Sequence, residues 1–333
     1  MMKRLSVLDP TPIREGHSAS HALQETRALA EATDGLGYSA YWVQEHHNTE
    51  SFAGTAPEVL IADLAARTKT LRIGSGGVML PNYSPLKVAE QFLTLEALYP
   101  GRIDLGIGRA TGADPRTSAA LLGPGAASFP TMFQLLKDWL LDADGVPLAH
   151  DHRAAGIHAR PSASRPELWL LTSSTESAAY AGAVGAKLAF AEFLSPTGAK
   201  EAISAYRANF APSPFCVAPH AAVGTLALAA ETDSDAEAES RVAVAWNIKR
   251  AGGQFAPFPT VEEAETIIAR TPGHVVDHFN ARSLTGKADR VATKLKQHLD
   301  ETDADEAFIL TITATPEARR ESYAHLMAAW KAL

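Results

Sequence analysis

Glu45-His46-His47-Asn48, Gly74-Ser75-Gly76-Gly77-Val78-Met79-Leu80-Pro81 and Gly101-Arg102-Ile103-Asp104-Leu105-Gly106-Ile107-Gly108-Arg109 follow one another between residues 45 and 112. Each contains or follows a short apolar run: Tyr38–Val43, Leu71–Met79 and Ile103–Ile107. Each run ends in residues that carry chemistry, or in glycines that let a ligand approach the backbone. Chemistry gathered at successive strand ends is the pattern of a site built at the carboxyl edge of a parallel sheet.

Working outward, further strand-like runs occur at Leu5–Asp9, Leu168–Leu171, Lys187–Ala191, Ala221–Ala229 and Glu306–Ile312. Stretches with helical spacing separate them, among them Ser20–Leu36, Pro57–Thr68, Pro85–Leu98, Phe129–Asp142, Ser174–Val184, Ala199–Phe210, Asp289–Thr302 and Pro316–Ala332. Another helix is expected near Asp233–Lys249. Eight strands alternating with helices predict a parallel sheet, and at this length a closed (β/α)8 TIM barrel is the economical form, with a doubly wound sheet as the alternative. Residues 251–283 fit no strand–helix unit and contain Gly252-Gly253, Pro257, Pro259 and Pro272-Gly273. This late insertion reads either as a lid or as a surface loop with one short helix.

The composition is that of a globular chain of 333 residues, 46% hydrophobic and 20% charged, with a net charge of -8. The negative balance disfavours nucleic acid or an anionic membrane as main partner, while leaving room for a local basic pocket. The one cysteine, Cys216, excludes an intrachain disulfide and a thiolate metal cluster. No apolar run reaches the roughly 18 residues of a membrane span. Met1-Met2-Lys3-Arg4-Leu5 enters a strand without a signal-peptide core, so a cytoplasmic protein is expected.

At the end of the second strand, one of His46 and His47 should face the pocket, where an imidazole can bond a reacting oxygen or move a proton near neutral pH. The alternative is a pair bonded to loop backbone. Glycines 74, 76 and 77 inside a strand admit either a planar ring lying on the backbone or a bulge. Gly106-Ile107-Gly108-Arg109 with Gly112 has the wrong spacing for a dinucleotide fingerprint. Arg109 is either an anion ligand or half of a rim ion pair. Thr172-Ser173-Ser174-Thr175-Glu176-Ser177 opens a helix, either as a phosphate cradle or as simple N-capping. Paired with Arg109 from the neighbouring strand, it is expected to form a two-sided phosphate site. His17/His21, His274/His278 and His150-Asp151-His152 lack a third ligand or an H-E-x-x-H arrangement, so no metal is expected. There is no G-x-S-x-G elbow.

The segments Trp42–Asn48, Ala56–Leu60, Ile73–Pro81, Pro85–Phe92 and Tyr99–Arg109 together resemble the bacterial luciferase-like flavin-dependent monooxygenases, in particular their short single-component members. The likeness spans nearly the whole chain. It implies one luciferase-like TIM-barrel domain over residues 1–333, reduced FMN (FMNH2) as cosubstrate, and a homodimer. It also implies insertion of one oxygen atom from O2 into an organic substrate through a flavin C4a-hydroperoxide, in secondary metabolism among other settings. His46 matches the family's catalytic histidine and Arg109 its phosphate-binding arginine. Ser173, Ser174 and Ser177 fall at further phosphate ligands. The Gly76-Gly77 junction falls at a non-proline cis peptide beneath the flavin. Gly108 stands where luciferases carry a reactive cysteine, Ser173 replaces a glutamate, and Phe190-Ala191-Glu192-Phe193 lacks a tryptophan. These departures touch the ring and substrate pocket: they keep the expectation of flavin binding, weaken that of aldehyde luminescence, and leave long-chain aldehydes and secondary metabolites both open as substrates. With no nicotinamide site in the sequence, a separate NAD(P)H-dependent flavin reductase is expected as partner. The rival functions are an F420-dependent hydride transferase and a non-catalytic flavin-binding protein.

Overall fold

A computed structural model describes residues 3–121 and 127–333; Met1 and Met2, where the N-terminal reading starts, lie outside them. Ten strands form one parallel sheet: β1 (Arg4–Asp9), β2 (Ala40–Val43), β3 (Arg72–Ser75), β4 (Val78–Met79), β5 (Ile103–Gly108), β6 (Glu167–Thr172), β7 (Lys187–Ala191), β8 (Ala221–Ala230), β9 (Ser283–Lys287) and β10 (Glu306–Leu310). β10 pairs with both β8 and β1, so eight staves close into a barrel, and the doubly wound alternative falls away.

The helices are α1 (Ala19–Thr33), α2 (Pro57–Arg67), α3 (Pro85–Leu98), α4 (Pro115–Leu121), α5 (Phe129–Ala143), α6 (Thr175–Ala183), α7 (Ala199–Ala208), α8 (Asp233–Ala251), α9 (Val261–Ala269), α10 (Gly273–Asn280), α11 (Ala288–Glu301) and α12 (Pro316–Lys331). Proline in the first turn starts α2, α3 and α12, where its missing N–H costs nothing. Side-chain caps start others: Ser18 on α1, Thr232 on α8 and a Thr260/Glu263 capping box on α9. Outward side chains of the strands and inward faces of the helices form one apolar layer, with Leu64, Phe92, Leu136 and Leu295 fully buried.

Inside the barrel, aromatic side chains form a plug. Trp42 stacks on Phe308 at 3.8 Å between ring centroids, and Trp169 meets both rings edge-on. The Trp42 indole N–H donates to Asp104 (2.9 Å), which Arg72 neutralises. This plug explains one glycine of the third run: a Cβ on Gly74 would sit 2.5 Å from Asp104 Cβ and 2.7 Å from Trp42 Nε1.

Two expectations are corrected. The run Leu71–Met79 is not one strand: it divides into β3 and β4 at Gly76-Gly77, whose peptide bond is cis. Residues 251–283 are more than a loop with one short helix. Ala251 closes α8, α9 and α10 follow, and Ser283 opens β9, which pairs with the outer half of the long β8 from Leu226 to Ala230.

Candidate active site

Glu45, just beyond β2, is fully buried and braced from four sides. It accepts hydrogen bonds from Met79 N (2.9 Å), Asn82 Nδ2 (3.2 Å) and Tyr83 OH (2.9 Å), and it pairs with His47 Nε2 at 2.7 Å. His47 is thus consumed by structure, and the loop turns His46 toward the barrel mouth. The backbone N–H of His46 donates to Gly54 O (2.8 Å), and its ring lies 4.5 Å from that of Phe52. Its Nδ1 is buried with no partner among the described residues. Burial, then the charge of His47, pushes the His46 pKa down to about 4. The imidazole is therefore neutral at pH 7, a hydrogen-bonding group and proton acceptor. This narrows the expectation of titration near neutral pH.

His46 lines a cavity of about 820 Å³ at the carboxyl edge of the barrel. Gly76, Arg109, Ser173, Ser174 and Ser177 line it too. Gly77 does not: it packs against β5, where a Cβ would meet Gly106 O at 2.7 Å. Gly108 is on the wall, and a side chain there would run into Met79 Sδ at 2.8 Å.

Arg109 is exposed to the cavity and makes no ion pair with a described residue. On the neighbouring strand, Ser174 caps α6, accepting from Ser177 N (3.3 Å) and donating to Ser177 Oγ (3.1 Å). The capping reading therefore holds, and the same hydroxyls face the cavity. Beside them Thr172 Oγ1 is buried without a partner among the described residues. An unpaired guanidinium, hydroxyls and a helix N-terminus on two adjacent staves are the donor set of an anion site.

The sequence offers residues 251–283 as a lid or a surface loop but names none of the side chains that roof the cavity. α8 presents Trp246 and Arg250, and Phe258, Phe279 and Arg282 come from the segment after it. Trp246 stacks on Phe258 at 4.7 Å and its indole donates to Ala256 O (3.0 Å). These residues sit on no strand end, so the rule that found His46 and Arg109 passes over them.

The remaining candidates lie elsewhere. Among the described residues, no group of three His, Cys, Asp or Glu side chains is placed to hold a metal ion. His21 pairs with Glu25 (3.1 Å) and His152 with Asp138 (3.1 Å). Cys216 is buried, its Sγ donates to Ala218 O (3.0 Å), and burial pushes its thiol pKa up. No helix among the described residues is long and apolar enough to cross a membrane.

A barrel with its polar groups gathered at this edge matches a known class, and the family model for luciferase-like monooxygenases aligns with residues 2–329. The chain belongs to that family and is an oxidoreductase. A luciferase-like monooxygenase of Escherichia coli K12 is 38% identical over 96% of this chain and 94% of its own. The N-acetyl-S-alkylcysteine monooxygenase of Bacillus subtilis 168 is 42% identical over 63% of this chain and 62% of its own. The crystal structure of apo-MsnO8 superposes with a TM-score of 0.89 at 36% identity, covering 99% of this chain and 98% of that one.

Proposed function

We propose that this oxidoreductase is a monooxygenase that takes reduced FMN as a cosubstrate and oxidises an organic substrate in the barrel-mouth cavity. One observation carries the reading. A single cavity gathers an unpaired Arg109, the hydroxyls of Ser173, Ser174 and Ser177 at a helix start, a bare backbone at Gly76, and His46 with an orphaned Nδ1. Bound reduced FMN supplies the activation of dioxygen, one atom going to the substrate and the other to water.

The residues divide the remaining work. Arg109 and the α6 terminus hold the phosphate from two sides by charge-assisted bonds. Gly76 brings bare backbone to the cavity wall, against which a planar ring would lie; a Cβ there would collide with Leu8 Cδ1 at 2.7 Å and the Trp42 ring at 3.2 Å, and Gly77 packs behind it against β5. The neutral His46 ring, through Nδ1 or Nε2, accepts a proton or a hydrogen bond from the reacting groups. The Trp246 and Phe258 roof excludes water. The reductant arrives from a separate NAD(P)H-dependent flavin reductase, and the chain works as a homodimer; both belong to this proposal on the strength of the family resemblance.

The test is anaerobic titration with FMNH2 and with FMN, followed by oxygen uptake in the presence of a flavin reductase. FMNH2 should bind more tightly than FMN. Arg109→Ala should weaken the reduced flavin about ten- to a hundredfold, the usual loss for one charge-assisted contact. Unchanged affinity removes Arg109 from the phosphate site. Reduction of F420 by an alcohol would favour hydride transfer instead, and binding without turnover a carrier protein. Light scattering reads the dimer.

A further inference from the structure

Arg250 and Arg282 face the same cavity as Arg109, and neither pairs with a carboxylate among the described residues. The acids nearby are accounted for. Asp233 is held by Arg290 at 2.7 Å and by Lys287 N at 2.6 Å. Glu45 is held by His47 and its three other donors. Glu237 lines the cavity from the opposite end of α8, roughly 20 Å along the helix at 1.5 Å per residue. The two guanidiniums are nonetheless held in place. Arg250 lies over the Trp246 ring at 5.4 Å, and Arg282 Nη2 donates to Phe193 O at 2.7 Å. Arg282 Nε is buried with no partner among the described residues. Burial, and then the charge of Arg282, lowers the pKa of Arg250, so the two cations already burden one another. An anion between them relieves both.

The surroundings say what kind of anion. From Arg250 a line of aromatic contacts leads to His46: Trp246 at 5.4 Å, Phe52 a further 5.6 Å on, and then the imidazole at 4.5 Å. We infer that Arg250 and Arg282 form the subsite for the charged end of the organic substrate, a carboxylate borne on an apolar body that lies along Trp246 and Phe52 toward His46. The inference rests on the reading of this cavity as a monooxygenase site, and it adds the substrate class. The flavin phosphate has its own donors at Arg109 and α6, so the cavity holds two anion sites of different purpose.

Hydrocinnamate and its neutral amide have matched shapes and differ in charge, so they serve as probes. Their affinities are measured by calorimetry on the FMN-saturated protein. The acid should bind about tenfold or more tightly than the amide, the scale of a charge-assisted contact. Arg250→Gln and Arg282→Gln should each reduce that preference, Arg250→Lys should keep part of it, and none should alter FMN affinity; melting curves check that each variant folds. Equal binding of acid and amide, or no binding of the acid at millimolar concentration, overturns the inference. So does a loss of FMN affinity in Arg250→Gln matching that of Arg109→Ala, which would give the arginines to the cofactor. If FMN itself fails to bind, the same comparison on the free protein still reads the acid preference, and only the cofactor reading falls.

Discussion

His46 and His47 are neighbours with opposite fates, and the difference lies in what each imidazole finds. His47 finds Glu45 at 2.7 Å, whereas His46 Nδ1 is buried with no described partner and the half-buried ring lies 4.5 Å from that of Phe52. Because the folded pKa of His46 is about 4 against 6.5 for the free group, the unfolded chain binds the proton more readily. Its contribution to stability is complete above pH 6.5, is lost as pH falls through the window from 6.5 to about 4, and is constant below. His46→Gln should therefore lose less stability than the wild type over that window, by up to about 1.4 kcal/mol for each unit of pKa shift removed. Denaturant titrations at pH 7, 5.5 and 4 give the comparison, and parallel curves for the two proteins would contradict it. The pair was legible in the sequence because it follows a strand. Strand-end position alone did not say which member faces the cavity, since Glu45's other partners come from Met79, Asn82 and Tyr83 on the next unit; the family resemblance picked His46. Arg250 and Arg282 were illegible for a related reason: a helix and an irregular segment bring them to the mouth, and nothing local marks them.

Among the elements, the segment from α9 to α10 is held by little. α10 buries no residue and α9 buries only Ala264, whereas β9 is laddered to β8 in register from Leu226↔Ser283 to Ala230↔Lys287. Amides of residues 252–282 should thus exchange faster than those of β9 in the free protein, and slow when FMN and a carboxylate occupy the cavity. Hydrogen exchange read by mass spectrometry decides this, and equal protection across 252–287 would make the segment a fixed part of the barrel. The barrel staves were readable because buried parallel strands are apolar runs. β9 was not, because Ser-Leu-Thr-Gly-Lys has no such run and is only partly buried. The division of the third run escapes the pattern reading, which gives Leu71–Met79 as one strand despite Arg72, Ser75 and three glycines; only the family resemblance marks the Gly76-Gly77 junction at which it parts.

For the whole molecule, the barrel closes where β10 pairs with β1, and the last helix is fastened to that first strand. Asp9, at the end of β1, accepts from Arg319 (2.9 Å), Thr26 Oγ1 (2.7 Å), Tyr41 OH (2.5 Å) and Thr11 N (2.8 Å), which ties β1, α1, β2 and α12 together. Burial alone would raise the Asp9 pKa; Arg319 and the hydrogen bonds outweigh it and hold the carboxyl below its usual range. Arg319→Ala leaves that charge buried and uncompensated, and should cost about 3–5 kcal/mol of unfolding free energy at neutral pH. The depressed pKa means that this contribution is present above the ordinary carboxylate range and is lost as pH falls through the lowered folded value, so wild type and variant should converge in acid. Urea unfolding at two pH values measures both effects, and a loss under about 1 kcal/mol would remove the pair as the fastening of the barrel.

The sheltered thiol of Cys216 bears on durability and on experiment alike. A catalyst that handles dioxygen exposes itself to stray oxidants, and accessible thiolates are what such oxidants attack first. This chain offers them one sulfhydryl, buried and disinclined to ionise. For the same reason a cysteine introduced on the roof, at exposed Asn280 for instance, would stand alone as a labelling handle, so that a single dye could follow the motion of that roof against a silent background.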